Sequence, residues 1–330
     1  MLNAPSCRHH RLRVCLGAAV AAGLALPCGQ GTAQPYPSKP VKIVLSSPGG
    51  GTDVMARLFA DQFTRALGAQ FIVESRQPNV AATNYVAKSK PDGYTLLVAT
   101  ASYIVNTLMH QNPPYDAIKD FSAVSLLGTT PIIVAIHPSL PVRTLREMID
   151  LARKKPDALA YGSGGIGSPL HLAGELFDQT AGIRMLHVPF KGTANAAVDL
   201  QAGRVQVLFP SSISVLPQVE AGRIRVLAVL SAKRVAELPE VPTSAEAGLP
   251  KLIVNIWYGM VAPQGTPAAI VDQLHREIVN GIGRAELRER MVSTGVVPVG
   301  SSPAEFAAFA AAERTRWAAV IKAANIEIAP

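Results

Sequence analysis

Val41-Lys42-Ile43-Val44-Leu45 runs directly into Ser46-Ser47-Pro48-Gly49-Gly50-Gly51-Thr52-Asp53, after which Val54, Leu58, Phe59, Phe63 and Leu67 recur at helical spacing until Gly68. The short apolar run predicts a buried strand, and the period of three to four predicts a helix over 53–67. Three glycines between them let the backbone turn sharply and approach a ligand closely. The free amides and positive dipole end at the helix start favour an anion. Asp53 is expected to cap the helix, because a carboxylate aimed at an anionic guest would repel it.

The same strand-to-helix unit recurs outward from this stretch. Strand patterns fall at 71–74, 94–99, 132–137, 186–190, 205–209, 224–230 and 256–262. Helices are predicted at 144–154, from 168 onward, around 194–201, and at 267–282, 285–292 and 303–325. Thr144 with Glu147, and Ser302 with Glu305, have capping-box spacing, and Ser168 precedes Pro169 at a helix start. Alternating elements predict an α/β fold with largely parallel sheets covered by helices on both faces. Ligands of such sheets sit beyond the carboxyl ends of the strands, so function is sought in the strand-to-helix loops. A length of 330 residues suits two domains, and 48% hydrophobic against 16% charged residues excludes a disordered chain.

The N-terminal segment reads differently. Arg8, Arg11 and Arg13 precede an apolar run from Val14 to Leu26 and a small-residue stretch ending at Ala33. This is the layout of a cleaved secretory signal over 1–33, too short to span a bilayer, with Gln34 as the first mature residue and a periplasmic destination. Lipidation at Cys28 is disfavoured by Pro27. Cys7, Cys15 and Cys28 all lie in this segment, so the mature chain offers no thiolate nucleophile, disulfide or cysteine metal site. The net charge of +8 loses the three arginines of the segment and no acid. The densest basic run, Arg153-Lys154-Lys155, is too short for a nucleic-acid patch, while a modest positive balance suits an anionic solute.

A second glycine-rich loop, Tyr161-Gly162-Ser163-Gly164-Gly165-Ile166-Gly167-Ser168, leads into the helix carrying His171. Gly162, Gly164 and Gly167 spell the dinucleotide motif, but the following strand ends in Lys191 where an acidic ribose partner would be required, so no cofactor is expected. Ser163, Gly164, Gly167 and Ser168 instead join Ser46, Ser47, Gly49, Gly50, Thr52 and Asp53 as candidate ligand-binding residues. Thr100 and Ser102 add hydroxyls at a strand end, and Lys191, Gly192 and Thr193 do the same with a cation. Trp257 is a candidate wall of the cleft. His110, His137, His171, His187 and His275 form no close metal pair, and no nucleophile elbow is present, so neither a metal nor catalytic residues are assigned.

Ordered along the chain are Tyr36-Pro37-Ser38-Lys39-Pro40, Gly49 to Asp53, Pro91-Asp92-Gly93-Tyr94, Pro114-Tyr115-Asp116, His137-Pro138-Ser139-Leu140, Val188-Pro189-Phe190-Lys191-Gly192, Leu238-Pro239-Glu240-Val241-Pro242 and Ala262-Pro263-Gln264-Gly265-Thr266-Pro267. This set resembles the Bug-type extracytoplasmic solute-binding receptors of tripartite tricarboxylate transporters. The resemblance implies a two-lobed, type II-like periplasmic-binding (Venus flytrap) fold, with 36–134 plus 255–330 as one lobe and 135–254 as the other. It implies that one glycine-rich loop from each lobe grips a carboxylate, and it adds Ser211 in the turn after Phe209. The expected guest is a dicarboxylate, an aromatic acid or a nicotinate-like compound. Expected partners are membrane transporter subunits or, alternatively, a two-component sensor, with the receptor itself a monomer and not an enzyme; a secreted hydrolase with a scattered triad is the remaining alternative. Three departures stand out: Ser46-Ser47 in place of Pro-Phe, a glycine-poor stretch from Arg76 to Ala82, and Pro210 in place of an acid. Without an acid at 210 an amino-acid ammonium lacks its partner.

Overall fold

The computed structural model describes residues 36–46 and 51–326. The predicted signal segment 1–33 and its three cysteines lie outside the described residues. The chain begins with β1 (Val41–Leu45), α1 (Gly51–Leu67), β2 (Phe71–Ser75), α2 (Asn79–Ala87), β3 (Thr95–Ala99) and α3 (Ala101–Met109), followed by the long β4 (Phe121–Pro131). Next come β5 (Ile133–Ile136), α4 (Leu145–Lys154), β6 (Ala160–Ser163), α5 (Pro169–Ala181), β7 (Leu186–Pro189) and α6 (Thr193–Gln201). They are followed by β8 (Val207–Leu208), α7 (Ser212–Glu220) and β9 (Arg225–Val229). The remaining elements are β10 (Asn255–Pro263), α8 (Ala268–Gly283), α9 (Ala285–Ser293), β11 (Val297–Pro298) and α10 (Pro303–Ala323).

Two sheets result. The first has six strands in the order β11-β4-β10-β3-β1-β2, and the second five in the order β7-β6-β8-β5-β9. The expectation of largely parallel sheets is corrected. β1 runs parallel to β2 and β3, and β6 parallel to β7 and β8, but β10 is antiparallel to both β3 and β4, and β5 to both β8 and β9. The physical reason is the path of the chain. It leaves the first sheet at the end of β4 and re-enters it at β10, which wedges between β3 and β4 running the opposite way. The crossing is narrow: the Leu230 amide donates to Ile132 O at 2.7 Å and the Val254 amide to Leu230 O at 2.8 Å.

The capping boxes of α4 and α10 form as their sequence spacing predicts, and Ser168 accepts from the His171 amide at the start of α5. On α1 the buried face is Met55, Ala56, Leu58, Phe59, Phe63 and neighbours, whereas Val54 is exposed. Burying each large side chain of this kind contributes about 2–3 kcal/mol, which holds α1 on the first sheet. α10 serves both halves. Phe306 and Ala310 belong to the core under the first sheet, and Trp317, Val320 and Ile321 to the core of the second.

Candidate functional site

The first glycine-rich loop leaves β1 at Ser46, and Ser47, Gly49 and Gly50 lie outside the described residues. α1 starts at Gly51, two residues before the predicted start. Thr52 and Asp53 therefore sit within its first turn, and Asp53 lies 2.8 Å from the Arg57 guanidinium one turn on. A carboxylate inside the first turn meets the positive helix end, and the Arg57 cation one turn on pairs with it. Gly51 packs against the buried Tyr258, so closely that a Cβ there would overlap the phenol oxygen.

Behind Ser46 lies a polar ladder with no motif in the sequence. Asn106 Nδ2 donates to Asn79 Oδ1 at 2.9 Å, and Asn79 Nδ2 donates to Ser46 Oγ at 2.7 Å. Asn79 opens α2 and Asn106 lies on α3, so three separate elements fix the loop's exit from β1.

The second loop, residues 163–168, is held from within. Ser163 is fully buried at the end of β6. Its hydroxyl accepts from the Gly165 amide at 3.1 Å and lies 2.7 Å from His187 Nε2. The Ser168 amide donates to Gly165 O, and the Gly167 amide donates to His171 Nδ1 at 3.0 Å. The two imidazoles stack on each other, centroids 3.8 Å apart and planes 11° from parallel, with Tyr161 stacked beyond His187. Tyr161 donates its hydroxyl proton to Glu175 at 2.5 Å. Burial lowers both imidazoles to a pKa of about 4, and for His171 the neighbouring His187 adds to the effect. Burial, then the Glu175 charge, pushes the Tyr161 phenol up. The stack is therefore neutral near pH 7. These internal bonds narrow what the loop can offer a guest. Gly165, Gly167 and Ser168 already have partners, while the amides of Gly164 and Ile166 have none among the described residues.

Lys191, Gly192 and Thr193 rest on this loop. The Phe190 amide donates to Ser163 O at 3.0 Å, and a Cβ on Gly164 would stand 3.2 Å from Thr193 Oγ1. Lys191 is exposed. Thr100, Gly192 and Ser211 stand at the N-caps of α3, α6 and α7, and none of them caps its own helix through a side chain. Ser102, one residue into α3, and Thr100 are half-buried.

α3 lies close to both strand exits, reaching Ser46 through Asn79. Asn106 reaches the Ser46 ladder, and Met109, one turn on along the helix, touches the second loop. Gly167 has φ +74°, a backbone conformation that favours glycine, and a Cβ there would lie 2.9 Å from Sδ of the flexible Met109. Trp257 is placed elsewhere. It is 1% exposed, packs edge-on against Tyr103, Phe306 and Phe309, and donates its indole N–H to Glu313 at 2.9 Å. The expectation that it walls the cleft is corrected, because β10 is an interior strand covered on both faces. Trp317 donates to the same Glu313 oxygen at 2.8 Å. Among the described residues no three His, Cys, Asp or Glu are grouped to hold a metal ion, and no helix is long and apolar enough to cross a membrane.

Comparison with known proteins places this geometry in a family. The family model described as "Tripartite tricarboxylate transporter family receptor" matches residues 55–326. Protein BugT of Bordetella pertussis is 34% identical over 318 residues, covering 94% of this chain and 97% of that protein. A solved R. palustris protein with adipate is 34% identical with a TM-score of 0.77, over 88% of this chain and 99% of that one. MatC of Rhodopseudomonas palustris, solved with bound malate, is 28% identical with a TM-score of 0.74, over 87% of this chain and 100% of that one. The mixed two-sheet α/β architecture is that of the periplasmic solute-binding proteins, and the chain belongs to the tripartite tricarboxylate transporter receptor family, the extracytoplasmic solute-binding component of that transport system.

Proposed function

We propose that this receptor captures a small carboxylate between the loop following β1 and the loop following β6, and delivers it to the membrane subunits of its transporter without chemical turnover. The observation that carries the reading is that α3 serves both strand exits: Met109 packs against Gly167 of the loop after β6, and Asn106 is linked through Asn79 to Ser46 at the exit from β1. Residues 36–134 with 255–330 form one lobe and 135–254 the other, and the guest sits between them. The Gly164 and Ile166 amides face the carboxylate, Thr52, Thr100, Ser102, Thr193 and Ser211 supply hydroxyls around it, and the exposed Lys191 supplies the cation. Adipate and malate in the related structures support a dicarboxylate, with aromatic and nicotinate-like acids as the other members of the class. Pro210 provides no acid for an ammonium, so amino acids are poor guests. The chain is exported by the segment 1–33 and works as a monomer.

The test is a thermal-shift screen followed by calorimetry with adipate, malate, aromatic acids, nicotinate and matched amino acids. A guest that binds only the native state raises the melting temperature by mass action. Lys191→Ala is expected to weaken binding about fivefold and to reduce its dependence on salt, the size of a solvent-screened charge contact. Stabilisation by none of the acids would sink the reading.

A further inference from the structure

The stacked histidines lie on α5 and β7, sixteen residues apart in sequence, yet each ties one end of the same short loop. His187 Nε2 meets the Ser163 hydroxyl, which in turn accepts from the Gly165 amide. His171 Nδ1 accepts from the Gly167 amide. An imidazole nitrogen that accepts carries a lone pair, so the His171 proton sits on Nε2, which lies 3.7 Å from Glu175 Oε1. Alternate amides of the loop, those of 165 and 167, are thereby drawn inward. The intervening amides of 164 and 166 are left without a protein partner, and Ile166 itself is exposed.

We propose that the His171–His187 stack is a positioning clamp: by holding the Gly165 and Gly167 amides it forces the Gly164 and Ile166 amides outward as a preformed anion seat. Neither histidine touches the guest. The proposal rests on the carboxylate-receptor reading and adds which residues set the aim of the loop. A preformed seat binds more tightly because the ordering of the loop is already complete before the guest arrives. The stack also explains why the loop can afford several glycines and remain defined.

Substitutions can separate clamping from packing. His171→Asn retains an acceptor attached to Cγ, where Nδ1 is, and His187→Gln retains a polar group at the position of Nε2; His171→Leu and His187→Leu retain bulk alone. Hydrogen exchange of the Gly165 and Gly167 amides reads the clamp without any guest, and calorimetric titration with adipate reads the seat. Expected are faster exchange at Gly167 and about tenfold weaker adipate binding in the leucine variants, with both restored in the asparagine and glutamine variants, the change corresponding to one hydrogen bond of ordinary strength. Unchanged exchange at Gly167 in His171→Leu, or adipate affinity equal to the parent's in both leucine variants, overturns the clamp. A parent protein that ignores adipate overturns the seat as well, and is told apart because the exchange at Gly167 then still responds to His171→Leu.

Discussion

The two glycine-rich loops solve one problem with different chemistry. At the described ends of the loop after β1, Ser46 is held by side-chain amides, Asn106 to Asn79 to Ser46, and Gly51 lies against the Tyr258 ring. The loop after β6 is steadied by a pair of imidazoles. Amides do not titrate, whereas imidazoles do, so acid acts on the bracing of the second loop and not on the amide ladder behind the first. The contrast teaches that the strength of a loop depends on what lies behind it, and that two loops of similar composition can respond to different conditions.

The largest expected effect breaks this comparison with protons. The folded pKa of His171 lies at about 4, below its ordinary 6.5. Between these values the unfolded chain binds more protons than the native one, so the stability contributed above pH 6.5 is lost as the pH falls toward 4. For the almost wholly buried His171 this amounts to about 3 kcal/mol. The charged and titratable groups packed around the stack are Tyr161 from β6 and Glu175 and Asp178 from α5. Burial raises Asp178 to about 7, which acts in the opposite direction, stabilising the native state on acidification. The test is therefore a difference. Urea unfolding of the parent and of His171→Asn from pH 7.5 down to 4 should show the parent losing stability relative to the variant; parallel curves would refute the acid sensitivity.

The second effect falls on the other loop. Gly51→Ala puts a methyl group on the Tyr258 hydroxyl and is expected to cost about 2 kcal/mol of stability, as overpacking does. Tyr258→Phe in the same chain removes the nearest obstructing atom, so it should recover part of the loss. No recovery in the double variant would show that the ring does not support the loop. The smallest effect belongs to the ladder. Asn79→Ala removes three side-chain hydrogen bonds at a half-buried position, the one from Thr83 long at 3.5 Å, and should cost about 1 kcal/mol, with no pH dependence between 5 and 7. A pH-dependent penalty there would erase the distinction between the loops.

Much of this was legible in the residues, for identifiable reasons. The β1–α1 unit, the Thr144 and Ser302 caps and the Ser163–Ser168 loop depend on local chemistry, which sequence displays directly. α3 was not legible. Ile104, Val105 and Thr107 give its nine residues weak helix propensity, and what holds it is the burial of Tyr103, Ile104 and Val105 against other elements. The Asn79–Asn106 ladder and the histidine stack escape for a related cause: each joins residues brought together only by tertiary structure, with no spacing to mark them. Trp257 was misplaced because an aromatic on an interior strand and one on a cleft wall look alike until the neighbours of the strand are known.

Glu313 has a mechanical consequence. One carboxylate oxygen holds Trp257, which is rooted in the packing beneath the six-stranded sheet, and Trp317, which is rooted in that of the five-stranded one. A swing of one sheet against the other must either turn about that oxygen or leave an indole N–H stranded among hydrocarbon. Glu313, midway along α10, thus ties the packing of the two sheets together through a single oxygen.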